Sequence, residues 1–141
     1  MTDAWRKYRG APAEGTGVCR FEAIPEPGTL AVSLSGFPVL LARSGDLLRA
    51  YVNACPHQFL PLDHKGDRII SADGTVLRCT SHGAGFRLAD GEGIEGFGLG
   101  CALDAIPVSV DAAGVVVIGG IDDTALGGRH IRTAGQSDPA E

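Results

Sequence analysis

The chain has no excess of positive charge: 12 Lys and Arg stand against 17 Asp and Glu, for a net charge of −5. A surface built to hold nucleic acid or an anionic membrane needs the opposite balance. No run of 18 apolar residues occurs, so no membrane-spanning helix is expected. The opening Met1-Thr2-Asp3-Ala4-Trp5-Arg6-Lys7-Tyr8-Arg9 is charged, with no apolar stretch behind it. No secretory leader is therefore expected, and the cytoplasm is the expected compartment. Sustained 3.6-residue periodicity is missing, which argues against long helices. No Ser-His-Asp set, phosphate-cradling loop or pair of catalytic carboxylates stands out. Four cysteines in a reducing compartment read as thiols or metal ligands rather than a disulfide frame.

Glycine and β-forming residues are plentiful. The 21 glycines and 8 prolines exceed average usage but stop short of the roughly 25–30% that marks a disordered chain. Leu, Ile, Val and Phe number 36, above the roughly 20% floor for burying a core. Residues 1–16 lack periodicity and read as an N-terminal arm. Residues 17–118 hold nearly all the β-branched and aromatic content and read as one domain. Residues 119–141 read as a mobile tail.

The middle stretch reads as short strands broken by turns. Leu30–Leu34 and Phe37–Ala42 flank Ser35-Gly36, a two-residue hairpin signal. Ser44-Gly45-Asp46 turns the chain into Leu47–Val52. Asp73-Gly74 introduces Thr75–Arg78, and Asp90-Gly91 ends a short run through Phe86-Arg87-Leu88. Ile106–Val110 and Val115–Ile118 flank a turn at 111–114. Turn signals every 8–12 residues predict an all-β barrel or sandwich.

Two short motifs follow predicted strands. Cys55-Pro56-His57 comes after the strand ending at Val52, and Cys79-Thr80-Ser81-His82-Gly83 after the strand ending at Arg78. The pattern is C-x-H, 21 residues, then C-x-x-H. Two thiolates and two imidazoles suit either a tetrahedral zinc site or the iron–sulfur cluster in which two His replace two Cys on one iron. Single-residue spacing in the first motif is tighter than zinc knuckles use, which disfavours a structural zinc module.

At these residues the sequence resembles the Rieske-type ferredoxins. Both motifs match that family's cluster-binding loops, and Ala84-Gly85-Phe86-Arg87-Leu88 with Asp90-Gly91 is similar to the strand leaving the second loop. The resemblance covers residues 18–118. It implies an antiparallel β barrel or sandwich with a small cluster-binding subdomain formed by two loops. It further implies a [2Fe–2S] cluster with Cys55 and Cys79 on one iron and His57 and His82 on the other. The partners implied are a flavin-type reductase and an oxygenase, with the chain acting as a soluble one-electron carrier. Its 141 residues leave no room for a mononuclear-iron catalytic domain. The other member type it resembles is the small subunit of assimilatory nitrite reductase, although those subunits often lack the ligands.

Three departures from the family stand out. The 21-residue interval exceeds the usual one, placing an insertion within 63–74. Phe59 replaces a frequent glycine, and the region of Gly96-Phe97-Gly98 lacks the proline of the family's third loop.

Two ferric ions, two sulfides and two thiolates sum to zero charge when both His are neutral. The all-cysteine cluster carries −2, so His ligation raises the potential, to roughly −150 to +300 mV against about −400 mV. High-potential relatives place hydroxyl donors where this chain has Ala84 and Phe86, and extra cysteines where it has Phe59 and Ser81. The low end of the range is therefore expected. The amides of Gly83, Ala84 and Gly85 remain available as donors, with turn formation the plainer account of the glycines. An exposed cluster imidazole would also make the potential pH-dependent at alkaline pH.

Outside the two motifs, His64 reads as a loop histidine and His130 as a tail residue. Cys19 and Cys101 read as structural thiols. Trp5 and Tyr8 could staple the arm to the barrel. Asp90, Glu92 and Glu95 follow the second loop and read as a solvated rim, or as acids steering a basic partner.

Overall fold

Ser35 and Gly36 both take positive φ, 52° and 91°. This is the backbone that a two-residue hairpin needs to match the twist of its strands. They join β2 (Gly28–Leu34) to β3 (Phe37–Ser44), paired in unbroken register from Gly28↔Arg43 to Leu34↔Phe37. A second tight turn leads into β4 (Leu47–Val52), paired with β3 from Ser44↔Leu47 to Val39↔Val52.

The computed structural model describes residues 10–45, 47–54, 62, 69–79, 84–96 and 99–119, and the backbone of 124–126 and 129–133. The remaining strands are β1 (Gly17–Arg20), β5 (Val76–Arg78), β6 (Gly85–Arg87), β7 (Gly93–Glu95), β8 (Val108–Val110), β9 (Val115–Ile118), β10 (Thr124–Leu126) and β11 (Arg129–Thr133). They form three sheets ordered β1-β9-β8, β10-β11-β4-β3-β2 and β5-β6-β7. All pairings are antiparallel except β11 with β4. Among the described residues no α-helix occurs, and Phe21–Ala23 forms a short 3-10 turn. No helix there is long and apolar enough to cross a membrane.

The β3–β4 pair explains the layering. Its side chains alternate between faces, yet Val39, Leu40, Leu41 and Ala42 are all fully buried. Burial on both faces is why β3 reads as a continuous apolar run. Phe37, Val39, Leu41, Leu48, Ala50 and Val52 pack with Ile106, Val108, Val116 and Ile118 in a first core against the β1-β9-β8 sheet. Leu40, Ala42 and Tyr51 point the other way and join Leu77, Phe86 and Leu88 in a second core. The β5-β6-β7 sheet is thus a small subdomain laid on the outer face of β3–β4.

The all-β expectation and the strands at 30–34, 37–42, 47–52, 86–88 and 115–118 match the structure to within a few residues. β7 has no counterpart in the sequence reading, and β10 and β11 lie in the stretch read as a tail. Trp5, Tyr8 and the insertion at 63–74, except Ile69–Gly74, lie outside or largely outside the described residues.

Candidate metal centre

The second motif sits on a hairpin. β5 and β6 pair as Val76↔Arg87, Leu77↔Phe86 and Arg78↔Gly85. One step further, the Cys79 N–H donates to the Ala84 carbonyl at 2.8 Å, so only residues 80–83 remain in the loop. Cys79 is 1% exposed and free of any disulfide. Its thiol therefore stands at the base of a four-residue loop that also carries His82.

The first motif leaves the end of β4. The Asn53 N–H donates to the Pro38 carbonyl at 3.1 Å, and its side-chain Oδ1 accepts from the Leu62 N–H at 2.9 Å. Asn53 is 5% exposed, and no other buried polar or charged residue occurs among those described. A buried amide is tolerable only when hydrogen-bonded, and here its bond ties the two ends of the segment holding Cys55 and His57. Leu62 is itself fully buried, in the same apolar cluster as Leu77, Cys79 and Ala84. The structure thus brings the bases of both loops onto one cluster of side chains. Cys55, His57 and His82, like Phe59, His64, Ser81 and Gly83, lie outside the described residues.

The donor set fits an iron–sulfur centre on chemical grounds. Thiolate and imidazole are its ligand types, and the described thiol lies in an apolar setting closed by backbone hydrogen bonds. Ala84 and Phe86 are fully buried in the second core, with no hydroxyl to offer.

Gly85 has a reason that sequence reading missed. It pairs with Arg78 on one side and Glu95 on the other. A Cβ at Gly85 would lie 2.5 Å from Glu95 Oε1 and 2.8 Å from Glu95 Cβ. The missing side chain lets Glu95 reach over the middle strand to Arg78, Nε–Oε1 2.9 Å and Nη2–Oε2 3.2 Å. The hydrogen bond from Arg78 holds the Glu95 carboxyl below the usual range. Asp90 is likewise paired with Arg87 at 2.7 Å, and Glu92 lies 3.6 Å from the same guanidinium. The acids read as a possible steering rim are therefore largely compensated by two arginines.

Tyr51 and Arg49 fasten this subdomain to β4. The Tyr51 hydroxyl donates to the Leu88 carbonyl at 2.6 Å and Arg49 Nε to the Ala89 carbonyl at 2.6 Å. Burial pushes the Tyr51 phenol well above its ordinary pKa. Gly91, at φ 79°, leaves room where a Cβ would press on the Tyr51 ring.

Cys19 lies in β1, its pKa pushed up to about 11 by burial, and Cys101 accepts at its carbonyl from the Gly93 N–H at 2.9 Å. Neither joins a cluster of three or more metal-ligating side chains among the described residues.

A family model described as the Rieske [2Fe–2S] domain matches residues 16–101, more than half of the chain. Among solved structures, the ferredoxin of carbazole 1,9a-dioxygenase from Nocardioides aromaticivorans IC177 is similar with a TM-score of 0.63 at 20% identity. That match covers 76% of this chain and 98% of that one. A chain in the complex of reduced oxygenase and oxidized ferredoxin in carbazole 1,9a-dioxygenase matches with a TM-score of 0.60 at 26% identity, covering 73% of this chain and 91% of that one. A protein described as the small subunit of an NADPH nitrite reductase shares the fold at 17% identity and a TM-score of 0.59, covering 77% of this chain and 100% of that one. No match was found among curated protein sequences. The family model shows that this chain belongs to the Rieske [2Fe–2S] domain family, with a [2Fe–2S] cluster as its cofactor.

Proposed function

We propose that the chain is a one-electron carrier, taking electrons from a flavin-type reductase and passing them to an oxygenase-type acceptor in the cytoplasm. Cys55 and Cys79 hold one iron, and His57 and His82 the other. The functional unit is residues 17–118, because β8 and β9 close the sheet of β1 and complete the first core. What supports this most is the convergence of both loop bases on one apolar cluster that contains the Cys79 thiol.

When bound, the cluster supplies reversible uptake of a single electron. The chain's own residues do the rest. Two cysteines supply thiolates, and two neutral imidazoles keep the oxidised centre uncharged. Asn53 fixes the span of the first loop, and the Cys79–Ala84 hydrogen bond fixes the second. Leu62, Leu77 and Phe86 form apolar packing around the Cys79 side. Ala84 and Phe86 withhold hydroxyl donors, which keeps the potential low.

The likeness in fold to a nitrite reductase small subunit favours a second reading, a subunit of a larger oxidoreductase. Co-purification with a large flavoprotein or sirohaem protein would select it.

An EPR-monitored redox titration tests the carrier reading. It should give a one-electron midpoint at the low end of the roughly −150 to +300 mV range. His57→Ala and Cys79→Ala should each abolish bound iron and sulfide rather than shift the midpoint. A midpoint in the upper half of the range, or a variant that keeps its full iron content, would contradict the assignment.

A further inference from the structure

Glu95 pairs with Arg78, the last residue of β5, which directly precedes Cys79 at the start of the second loop. Its guanidinium lies on the outer face of the β5-β6-β7 sheet, while Leu77 and Cys79 on either side of it are buried. Glu95 comes from the third strand and reaches Arg78 across Gly85, forming the two-point fork that Arg–carboxylate pairs favour.

The pair is poorly placed as a stability device. Its side chains are 46% and 42% exposed, and exposed ion pairs contribute little to stability. Room for it comes from a glycine in the middle of a three-stranded sheet, a residue that weakens strands. A glycine that weakens the strand carrying the ligand loop, kept where it admits a weak surface pair, suggests a role in charge placement.

Resting on the carrier reading above, we propose that Arg78 and Glu95 form a balanced charge pair that sets the reduction potential of the centre held at Cys79. Reduction adds one negative charge. The positive Arg78 beside the ligand favours that state, and Glu95, bonded to Arg78, offsets it. Both would act as positioning residues, through charge rather than as ligands.

The test uses the cluster-loaded protein at neutral pH and low salt, with the midpoint potential, iron content and thermal midpoint measured for each variant. Glu95→Gln leaves Arg78 uncompensated and should raise the midpoint. Arg78→Gln leaves Glu95 uncompensated and should lower it. The double variant should fall between the two, and Arg78→Lys, which keeps the charge without the fork, should stay near the wild-type value. A purely structural role would move both single variants in the same direction, with the double resembling either one. That result, or midpoints unchanged in both singles, would overturn the proposal. Failure of the carrier reading is distinguishable, because it would show in the wild-type protein, as a midpoint in the upper half of the range or co-purification with a large flavoprotein or sirohaem protein. The proposal is read instead from the shifts of the variants relative to wild type.

Discussion

Asn53 shows what a single residue contributes here. It lies two positions before Cys55, and its side-chain oxygen closes a segment whose other end is Leu62. Asn53→Ala leaves the buried Leu62 N–H without that acceptor, a loss of about 1–3 kcal/mol. Urea unfolding should show a lower midpoint, and iron should leave the folded protein faster under a chelator. Wild-type stability together with wild-type iron retention would show that Asn53 does not organise the loop. This role was not legible in sequence, because an Asn after a strand reads as an ordinary turn residue and its acceptor function depends on a partner nine positions on. Cys55, His57, Cys79 and His82 stand out as candidate ligands in sequence because that chemistry lies in residue type and spacing, and of the four only Cys79 lies among the described residues. The close approach of Glu95 at Gly85 was not legible, because it depends on the pairing of β6 with β5 and β7.

At the scale of elements, the turns were the most readable feature. Ser35-Gly36 and Asp73-Gly74 carry their backbone requirements in their residue types, and both turns form as expected. In the second, Asp73 Oδ1 accepts from the Ser71 hydroxyl at 2.6 Å, the Thr75 hydroxyl at 2.7 Å and the Thr75 N–H at 3.1 Å. These bonds lower the Asp73 pKa from 3.8 to about 2. A depressed carboxyl contributes stability above its unfolded pKa and loses it as pH falls through the folded value. The turn leading into β5 should therefore weaken as pH falls from about 4 to about 2, and Asp73→Asn should flatten that part of the stability profile. Urea midpoints measured across this interval check it, and parallel profiles for the two proteins would contradict it. β7 was not legible, since Gly93–Glu95 is three residues long and becomes a strand only by pairing with β6. β10 and β11 were missed for a related reason: their sequence has few core-forming residues, and β11 is placed by pairing with β4.

At the scale of the whole molecule, the β3–β4 pair is the wall between two cores. One face completes the sandwich with β1-β9-β8, and the other carries the subdomain of the ligand loops. Tyr51 links the layers, with its ring in the second core and its hydroxyl bonded to the Leu88 carbonyl. This arrangement sets loops on a rigid base, and it was only half visible in sequence. The sequence marks Phe37–Ala42 only as one arm of a hairpin; its burial on both faces shows once the two cores are in place.

The proposed histidine-ligated [2Fe–2S] cluster is what gives this scaffold its function. It is tested most directly by visible and EPR spectra of anaerobically purified protein before and after dithionite, with iron, sulfide and zinc assayed on the same sample. The protein should be red-brown, with equal iron and sulfide and, on reduction, a signal whose average g lies below that of an all-cysteine cluster. A colourless protein carrying stoichiometric zinc would contradict this proposal.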